Sequence, residues 1–445
     1  MEIIGFTHFS MNTFTDKEWG DGAETEKFFN PTDLDVQQWV YVAREAGMKE
    51  LILTAKHHDG FCLWPSAYTK HSVINSPWKK GKGDLVKEFT DACKKFNIKA
   101  GLYLSPWDRN NADYGRPAYI EYYRNQLNEL LTRYGTISEF WFDGANGGTG
   151  YYGGANENRS IDRRTYYDWP ITWALVKKIQ PAILLFSDAG PDIRWIGNES
   201  GFAGETNWST INTDSIIPGE ANTAYLNTGD PKGKHWITGE CDVSIRPGWF
   251  YHSREDSLVK TPKQLVDLYY KSVGRNAVML LNIPPNRQGL FAIPDVIALR
   301  KFGRIIKETF STNLALGGKA EASNVRLNNN KFQAENIVDN STNSYWATDD
   351  GITSGWIELT FASKKSFDRI LIQEPIRFGQ RVEEFEIQAF VDGDFKTIAN
   401  GTTIGYKRLL RIPLISTNRV KIIIKKANNC PAISNFGLYK ASSME

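Results

Sequence analysis

The 445-residue chain has only four cysteines, Cys62, Cys93, Cys241 and Cys430. They show no CxxC pair and no His/Cys spacing of the zinc-site kind. Cys62, Cys93 and Cys241 fall in apolar segments and read as buried thiols, so no metal or disulfide framework is indicated. No charge of one sign predominates: 53 Lys+Arg against 51 Asp+Glu leave a formal net charge of +2. That gives no electrostatic case for nucleic acid or an acidic membrane surface as partner. No run of 18 apolar residues is present, so no transmembrane helix is expected. No glycine-rich phosphate loop follows a strand, which argues against a nucleotide cofactor. Internal repeats and low-complexity segments are lacking, and no signal peptide is visible.

What the chain has in quantity is aromatic surface: 14 Trp, 19 Tyr and 24 Phe. Much of this is core. Trp at such density also suits sugar binding, because a flat ring covers the apolar C–H face of a pyranose while its N–H reaches a hydroxyl.

The first 311 residues alternate short apolar runs with amphipathic stretches. IIGFTHFS (3–10), ELILTAK (50–56), IKAGLYLS (98–105), ISEFWFDG (137–144), ILLFSD (183–188), IRWIG (193–197), HWITGEC (235–241) and AVMLLNI (277–283) read as strands. Helices are predicted over 33–46, capped by Thr32, and over 84–96, 118–134, 162–179, 262–273 and 294–310. Nearly continuous apolar strands belong to parallel sheets covered on both faces. Eight of them in about 300 residues predict a distorted (β/α)8 TIM-like barrel over residues 1–311, irregular at the fifth and sixth units, where no helix is legible. Residues 312–445 lose helical periodicity. Runs such as WIELTF, FDRILIQE and RVKIIIKKA, spaced by polar turns, predict an all-β sandwich.

In such a barrel, polar residues at the C-terminal strand ends face the active site. Here nearly every strand carries them. They include His8, then Glu18 and Trp19; His57, His58 and Asp59; Tyr103 and Trp107; Trp141 and Asp143; Asp188; Arg194 and Glu199; Glu240, Asp242 and Arg246; and Asn282. Indoles, imidazoles and several carboxylates fit hydrolysis of a glycosidic bond. A metal hydrolase using His8, one of His57 and His58, and Asp143 is an alternative. Adjacent strand residues point to opposite faces, however, which weighs against His57 and His58 sharing one ion.

The segments HFSMNTFTDKEWGDG (8–22), AKHHDGFCLWPSAYTKHSV (55–73), GLYLSPWD (101–108) and EFWFDG (139–144) together resemble the α-L-fucosidases of glycoside hydrolase family 29. The resemblance implies Asp143 as the nucleophile of a retaining exo-enzyme that needs no catalytic cofactor. GPDIRWIGNESG (190–201) followed by GECDVSIRPGWFYH (239–252) is similar to the subgroup preferring α-1,3/α-1,4-linked, Lewis-type fucose. It implies Glu199 as acid/base, with Glu205 and Glu240 as the other candidates. It further implies that His8, Glu18, Trp19, His57 and His58 hold the hydroxyls, with Tyr103 near the nucleophile and Trp64 and Trp141 lining the sugar. Arg194 is expected to steady a carboxylate, and Asp242, Arg246 and Trp249 to contact the saccharide beyond the cleaved bond. A galactosidase on the same scaffold, or a barrel that binds sugar without turnover, are the other readings.

NIVDNSTNSYWATDD (336–350), GWIELTF (355–361) and ISNFGLYK (433–440) resemble a discoidin-like, galactose-binding-like sandwich. Trp346 and Trp356 read as its core. The resemblance implies a structural Ca²⁺ near Asp339 and Thr342, whose oxygens suit that ion. Fucosylated oligosaccharides or glycoproteins are the expected partners. The expected location is periplasmic or secreted, with a leader trimmed ahead of the abrupt first strand.

Overall fold

The computed structural model describes residues 1–445 except 215, 221, 340 and 342. Eight parallel strands close into a barrel. They are β1 (Ile3–Thr7), β2 (Glu50–Lys56), β3 (Lys99–Leu104), β4 (Glu139–Trp141), β5 (Leu184–Ser187), β6 (Ile193–Trp195), β7 (Thr238–Ser244) and β8 (Val278–Asn282). Each pairs with its sequence neighbours, and β8 returns to β1 with Met279 beside Ile3. Among the described residues seven helices of six residues or more accompany them: α1 (Val36–Glu45), α2 (Leu85–Phe96), α3 (Pro117–Arg133), α4 (Trp169–Ile179), α5 (Thr223–Thr228), α6 (Pro262–Lys271) and α7 (Ile293–Thr309). As the sequence suggested, no helix separates β5 from β6; the chain turns back at Gly190, φ 94°.

Two helix starts differ from the sequence reading. α1 begins at Val36, because the Asp35 carboxylate accepts the Gln38 N–H at 3.1 Å and Thr32 lies outside the helix. α4 begins at Trp169 rather than 162, with Pro170 in its first turn, where a missing N–H costs nothing. Asp162 instead closes a turn onto Arg164 and Thr165.

Residues two apart on a strand share a face, so the barrel interior is layered. Ile4, Phe6, Ile52, Tyr103, Trp141, Phe186, Ile193 and Leu280 fill the middle. Trp141 stacks on Phe186 with centroids 3.9 Å apart and planes 6° apart. Two residues before Trp141 stands Glu139, fully buried with both carboxylate oxygens unpartnered among the described residues. Glu50 and Glu240 are buried with it. Burial pushes Glu50 up to about 7, Glu240 up to about 8 and Glu139 well above the usual carboxylate range. These acids are neutral in mildly acidic solution. The opposite end of the same strands opens into the candidate site.

The C-terminal unit is a β-sandwich built from β9 (Lys319–Ala322), β10 (Gly355–Gln373), β11 (Val382–Val391), β12 (Asp394–Gly401), β13 (Arg408–Ala427) and β14 (Asn435–Tyr439). The order is β9-β10-β13-β11-β12, with β14 also on β10. WIELTF and FDRILIQE, separate runs in the sequence, are two halves of β10. Register shifts between Thr360 and Lys365 and between Phe367 and Arg369 bend it, so its halves pair differently. Trp346 is core. Trp356 is only half-buried, with the Lys421 ammonium 4.8 Å from its ring centre.

The sandwich braces the barrel. Gln380 donates to Asn207 O at 2.8 Å and accepts from Ser209 N at 3.1 Å, pairing its side-chain amide with the backbone of a barrel loop. Thr403 accepts from Asn207 N at 2.9 Å. Leu371, Leu409 and Tyr439 continue the barrel core across the junction.

Candidate active site

At the C-terminal strand ends lies a pocket of about 420 Å³. Its floor is Phe6, His8, His57, His58 and Trp141, its rim Trp19, Trp195, Glu199, Glu220, Thr223 and Trp249, and Asp143, Asp188 and Asp242 project into it. Among the described residues, all that line it come from the barrel.

Asp143 follows β4 and is held by two donors. Tyr103 Oη donates to Oδ2 at 2.9 Å, Ala145 N donates to Oδ1 at 2.7 Å, and His58 Nε2 stands 3.9 Å from Oδ2. Gly144 has no side chain because the space is taken: a Cβ there would lie 2.5 Å from Asp188 Oδ2. Asp188 accepts the Gly219 N–H at 2.6 Å, and burial raises its carboxyl to about 6.

The three histidines are nearly buried, and burial lowers His8 to about 3, His58 to about 4 and His57 far below its ordinary value. All three are therefore neutral, and the surrounding network assigns their tautomers. Asn282 Nδ2 donates to Trp249 O, so its Oδ1 accepts from His8 Nδ1 at 2.9 Å, leaving His8 Nε2 as an acceptor. Asn12 Nδ2 donates to Glu18 O and to His57 Nδ1, leaving His57 Nε2–H as a donor. Ser105 Oγ donates to Trp107 O and accepts from His58 Nδ1 at 2.7 Å, leaving His58 Nε2 as an acceptor. Acceptor, donor and acceptor side by side suit vicinal hydroxyls, each of which both gives and takes a hydrogen bond.

Glu199 sits on the loop after β6, at the rim, and accepts from Trp249 Nε1 at 3.2 Å. Partial burial raises its carboxyl above the ordinary value; the Trp249 bond lowers it, and Asp143 and Glu18 raise it further. Asp242 accepts from Trp195 Nε1 at 2.8 Å, and burial beside Glu199 drives it well above the carboxylate range. Trp19 is 55% exposed, its edge against His58 and Trp107.

Three residues expected at the sugar lie elsewhere. Trp64 is buried under the barrel rim, donating to Glu129 Oε2 at 2.9 Å. Arg194 points out of the barrel and ties the loop before β7, donating to the carbonyls of Leu226, Ile237 and Trp208 and to Asn207 Oδ1. Arg246 is buried between Asp295, at 3.0 Å, and Asp256, at 2.9 Å. Each sits near a strand end, but its alternation or loop turns it away from the pocket. Two carboxylates are also removed as proton donors to the pocket. Glu205 binds Arg275 and Arg408 at the sandwich junction, and Glu240 lies beneath Trp141, accepting its Nε1–H at 2.9 Å. Glu220 and Thr223 line the pocket without having been anticipated; both stand on an excursion between β6 and β7 whose short helix has no periodic signal.

No three His, Cys, Asp or Glu side chains converge as metal ligands among the described residues. Each pocket histidine has Nδ1 committed to a side chain from the barrel. In the sandwich, Asp339 accepts from Ser341 N at 2.8 Å and from Ser344 Oγ at 2.6 Å, closing a turn; Thr342 lies outside the described residues.

A parallel barrel with an indole-rimmed, hydroxyl-matching pocket, one fixed carboxylate and a second held toward protonation defines a glycoside hydrolase. The α-L-fucosidase family model matches residues 6–309 and the F5/8 type C domain model residues 319–436. The chain is 43% identical over 440 residues to α-L-fucosidase 1 of Arabidopsis thaliana, covering 98% of this chain and 84% of that protein. A glycoside hydrolase 29 family member from an unknown rumen bacterium superposes with a TM-score of 0.89 at 43% identity, covering 100% of this chain and 76% of that one. A Ruminococcus gnavus GH29 fucosidase in complex with fucose also gives 0.89, at 34% identity, covering 100% and 93%. The chain belongs to the α-L-fucosidase family, glycoside hydrolase family 29, and is a hydrolase acting on fucosides.

Proposed function

We propose that this fucosidase is a retaining exo-enzyme releasing terminal α-1,3- or α-1,4-linked L-fucose from Lewis-type oligosaccharides or glycoproteins. Asp143 attacks the anomeric carbon and forms an ester as the glycosidic C–O bond breaks. Glu199 gives its proton to the leaving oxygen. Water then attacks the same carbon, Glu199 takes its proton, and the ester bond to Asp143 breaks. The observation that carries this reading is the contrast between the two carboxylates. Asp143 is held on the floor by a phenol and a backbone N–H, while Glu199 is held at the rim on a single indole and kept toward its protonated form. His8, His57 and His58 read the hydroxyls. Trp141, Trp19 and Trp249 cover the ring and its methyl, and Asp242 faces the outgoing saccharide.

Trapping with 2-deoxy-2-fluoro-α-L-fucosyl fluoride tests the nucleophile, with an adduct expected on Asp143. NMR of the first-formed product tests retention. Comparing 3-fucosyllactose with 2′-fucosyllactose tests linkage, the first being the expected substrate. An adduct on any other residue overturns the assignment. We place the enzyme in the periplasm or outside the cell, where such glycans occur. We further infer that the loop around Asp339 takes a structural Ca²⁺, for which a calcium-dependent rise in melting temperature is the check.

A further inference from the structure

The loop from Arg246 to His252 follows β7, and His252 at its end has no part in the chemistry above. Its ring is 1% exposed. Nδ1 lies 2.6 Å from Asp16 Oδ1 and Nε2 2.6 Å from Glu18 Oε1. His252 thus bridges two carboxylates, one at each ring nitrogen. The bond to His252 holds the Asp16 carboxyl below its usual range, and Arg254 adds a second donor to it at 2.7 Å. His252 thereby fastens the loop after β1 to the loop after β7.

The clamp continues toward the reacting bond. Glu18 Oε2 accepts Trp249 N at 2.8 Å, and its Oε1 accepts Phe250 N at 3.3 Å. The Trp249 carbonyl is held by Asn282 Nδ2 at 2.8 Å. With its backbone fixed at both N–H and C=O, Trp249 aims its indole N–H at Glu199 Oε2, 3.2 Å away. Glu199 has no other hydrogen-bond partner among the described residues. A Cβ at Gly248 would fall 2.5 Å from Glu18 Oε1 and 3.0 Å from the His252 ring, so the loop is closed tightly over this junction.

We propose that His252 is a positioning residue for proton donation. Through Glu18 and the backbone of Trp249 it sets the direction of the indole that holds Glu199. This rests on Glu199 being the acid. The physical consequence is selective. Glycosides of good leaving groups depart without a proton, while poor leaving groups need one. A defect in proton placement therefore grows with leaving-group basicity, whereas a defect in fucose binding does not.

The test is kcat/KM across aryl α-L-fucosides from 2,4-dinitrophenyl to phenyl, for His252→Phe, Trp249→Phe, the double variant and Glu199→Gln. His252→Phe is expected to lose about tenfold more on the phenyl glycoside than on the dinitrophenyl one, a fraction of what a general acid supplies. The double variant is expected to lose no more of this selectivity than Trp249→Phe alone, since both act on one link. Equal loss across the series, or additive losses, overturns the inference. A steep series for Glu199→Gln with a flat one for His252→Phe sinks only the positioning role; a flat series for Glu199→Gln sinks the acid assignment itself. Should His252→Phe fail to fold, Asp16→Ala at the exposed end of the clamp takes its place. It is expected to give the same selectivity at smaller amplitude, and a flat series there counts equally against the proposal.

Discussion

Replacing Glu240 with Gln separates two ideas that the sequence alone leaves entangled, because Glu240 is both a carboxylate near a strand end and a member of the buried acid layer. The amide is isosteric, and its oxygen can still accept the Trp141 indole N–H now held by Glu240 Oε1 at 2.9 Å. What changes is titration. Burial raises Glu240 to about 8 in the fold, against about 4.3 for an unfolded chain. A group whose folded value is raised binds its proton more tightly when folded, so its contribution is complete below the unfolded value and is lost as pH climbs through the folded one. At about 1.36 kcal/mol for each pH step between those two values, the difference is on the order of 5 kcal/mol by pH 8.

Half of that effect moves the melting point of a large domain by about 5–10 °C. Scanning calorimetry from pH 5 to pH 9 is the assay. The natural protein is expected to lose melting temperature toward pH 9, and Glu240→Gln to lose several degrees less, with turnover near pH 6 unchanged. Parallel melting curves would mean that Glu240 does not titrate as its burial requires. A fall in turnover of the 10²–10⁴-fold size of a lost general acid would instead make Glu240 the proton donor and refute the geometry given for Glu199.

On the proposed mechanism the first chemical step needs Glu199 protonated, so activity falls as pH rises through its raised value. The alkaline limb of kcat/KM is expected above the ordinary carboxylate range, and Trp249→Phe, which removes a bond that lowers it, moves that limb to higher pH. Arg246→Met leaves Asp295 buried without its partner, a loss of about 3–5 kcal/mol. A lower melting temperature with unchanged KM is expected, and a raised KM at unchanged stability would put Arg246 back at the substrate. Gln380→Ala unpairs Ser209 N and leaves Asn207 O only the 3.4 Å bond from Asn276 Nδ2, costing about 1–3 kcal/mol for the buried N–H left alone. Barrel and sandwich should then melt as separate calorimetric transitions where the intact junction couples them.

The eight strands were legible because each is an uninterrupted apolar run, and a barrel strand buried on both faces allows little else. Asp143, His8, His57 and His58 were legible because they stand just past the ends of those strands, at the mouth of the barrel; strand alternation, which would part His57 from His58, stops at Lys56, and both rings enter the pocket with centroids 4.0 Å apart. Loops obey no such period. Arg194 and Glu199 are five residues apart in one motif, yet Arg194 leaves the barrel to gather carbonyls while Glu199 enters the pocket, and hydropathy does not distinguish them. Glu220 and Thr223 reach the rim from an excursion whose position depends on Arg194 and Asn207, contacts far apart in sequence. Trp64 failed for a subtler reason. An indole in a glycan-active motif suggests stacking, but Glu129, on α3, already claims its N–H.

The two carboxylates of the proposed mechanism rest on unlike supports, and under that proposal this has a functional logic. Asp143 must meet one carbon on a ring whose hydroxyls are read by three rigid imidazoles, so it is built on a strand end with donors from β3 and its own turn. Glu199 must follow an oxygen whose attached saccharide enters and leaves through the pocket mouth, so it stands on a loop. A loop alone would leave the proton donor undirected. The crossing of three loops restores direction: the one after β1 supplies Glu18, the one after β7 supplies Trp249 and His252, and the one after β6 carries Glu199, itself anchored by Arg194 and by the sandwich through Asn207. On this argument the sandwich contributes to catalysis by holding a loop rather than by touching substrate. Its loss should cost proton donation before it costs affinity for fucose.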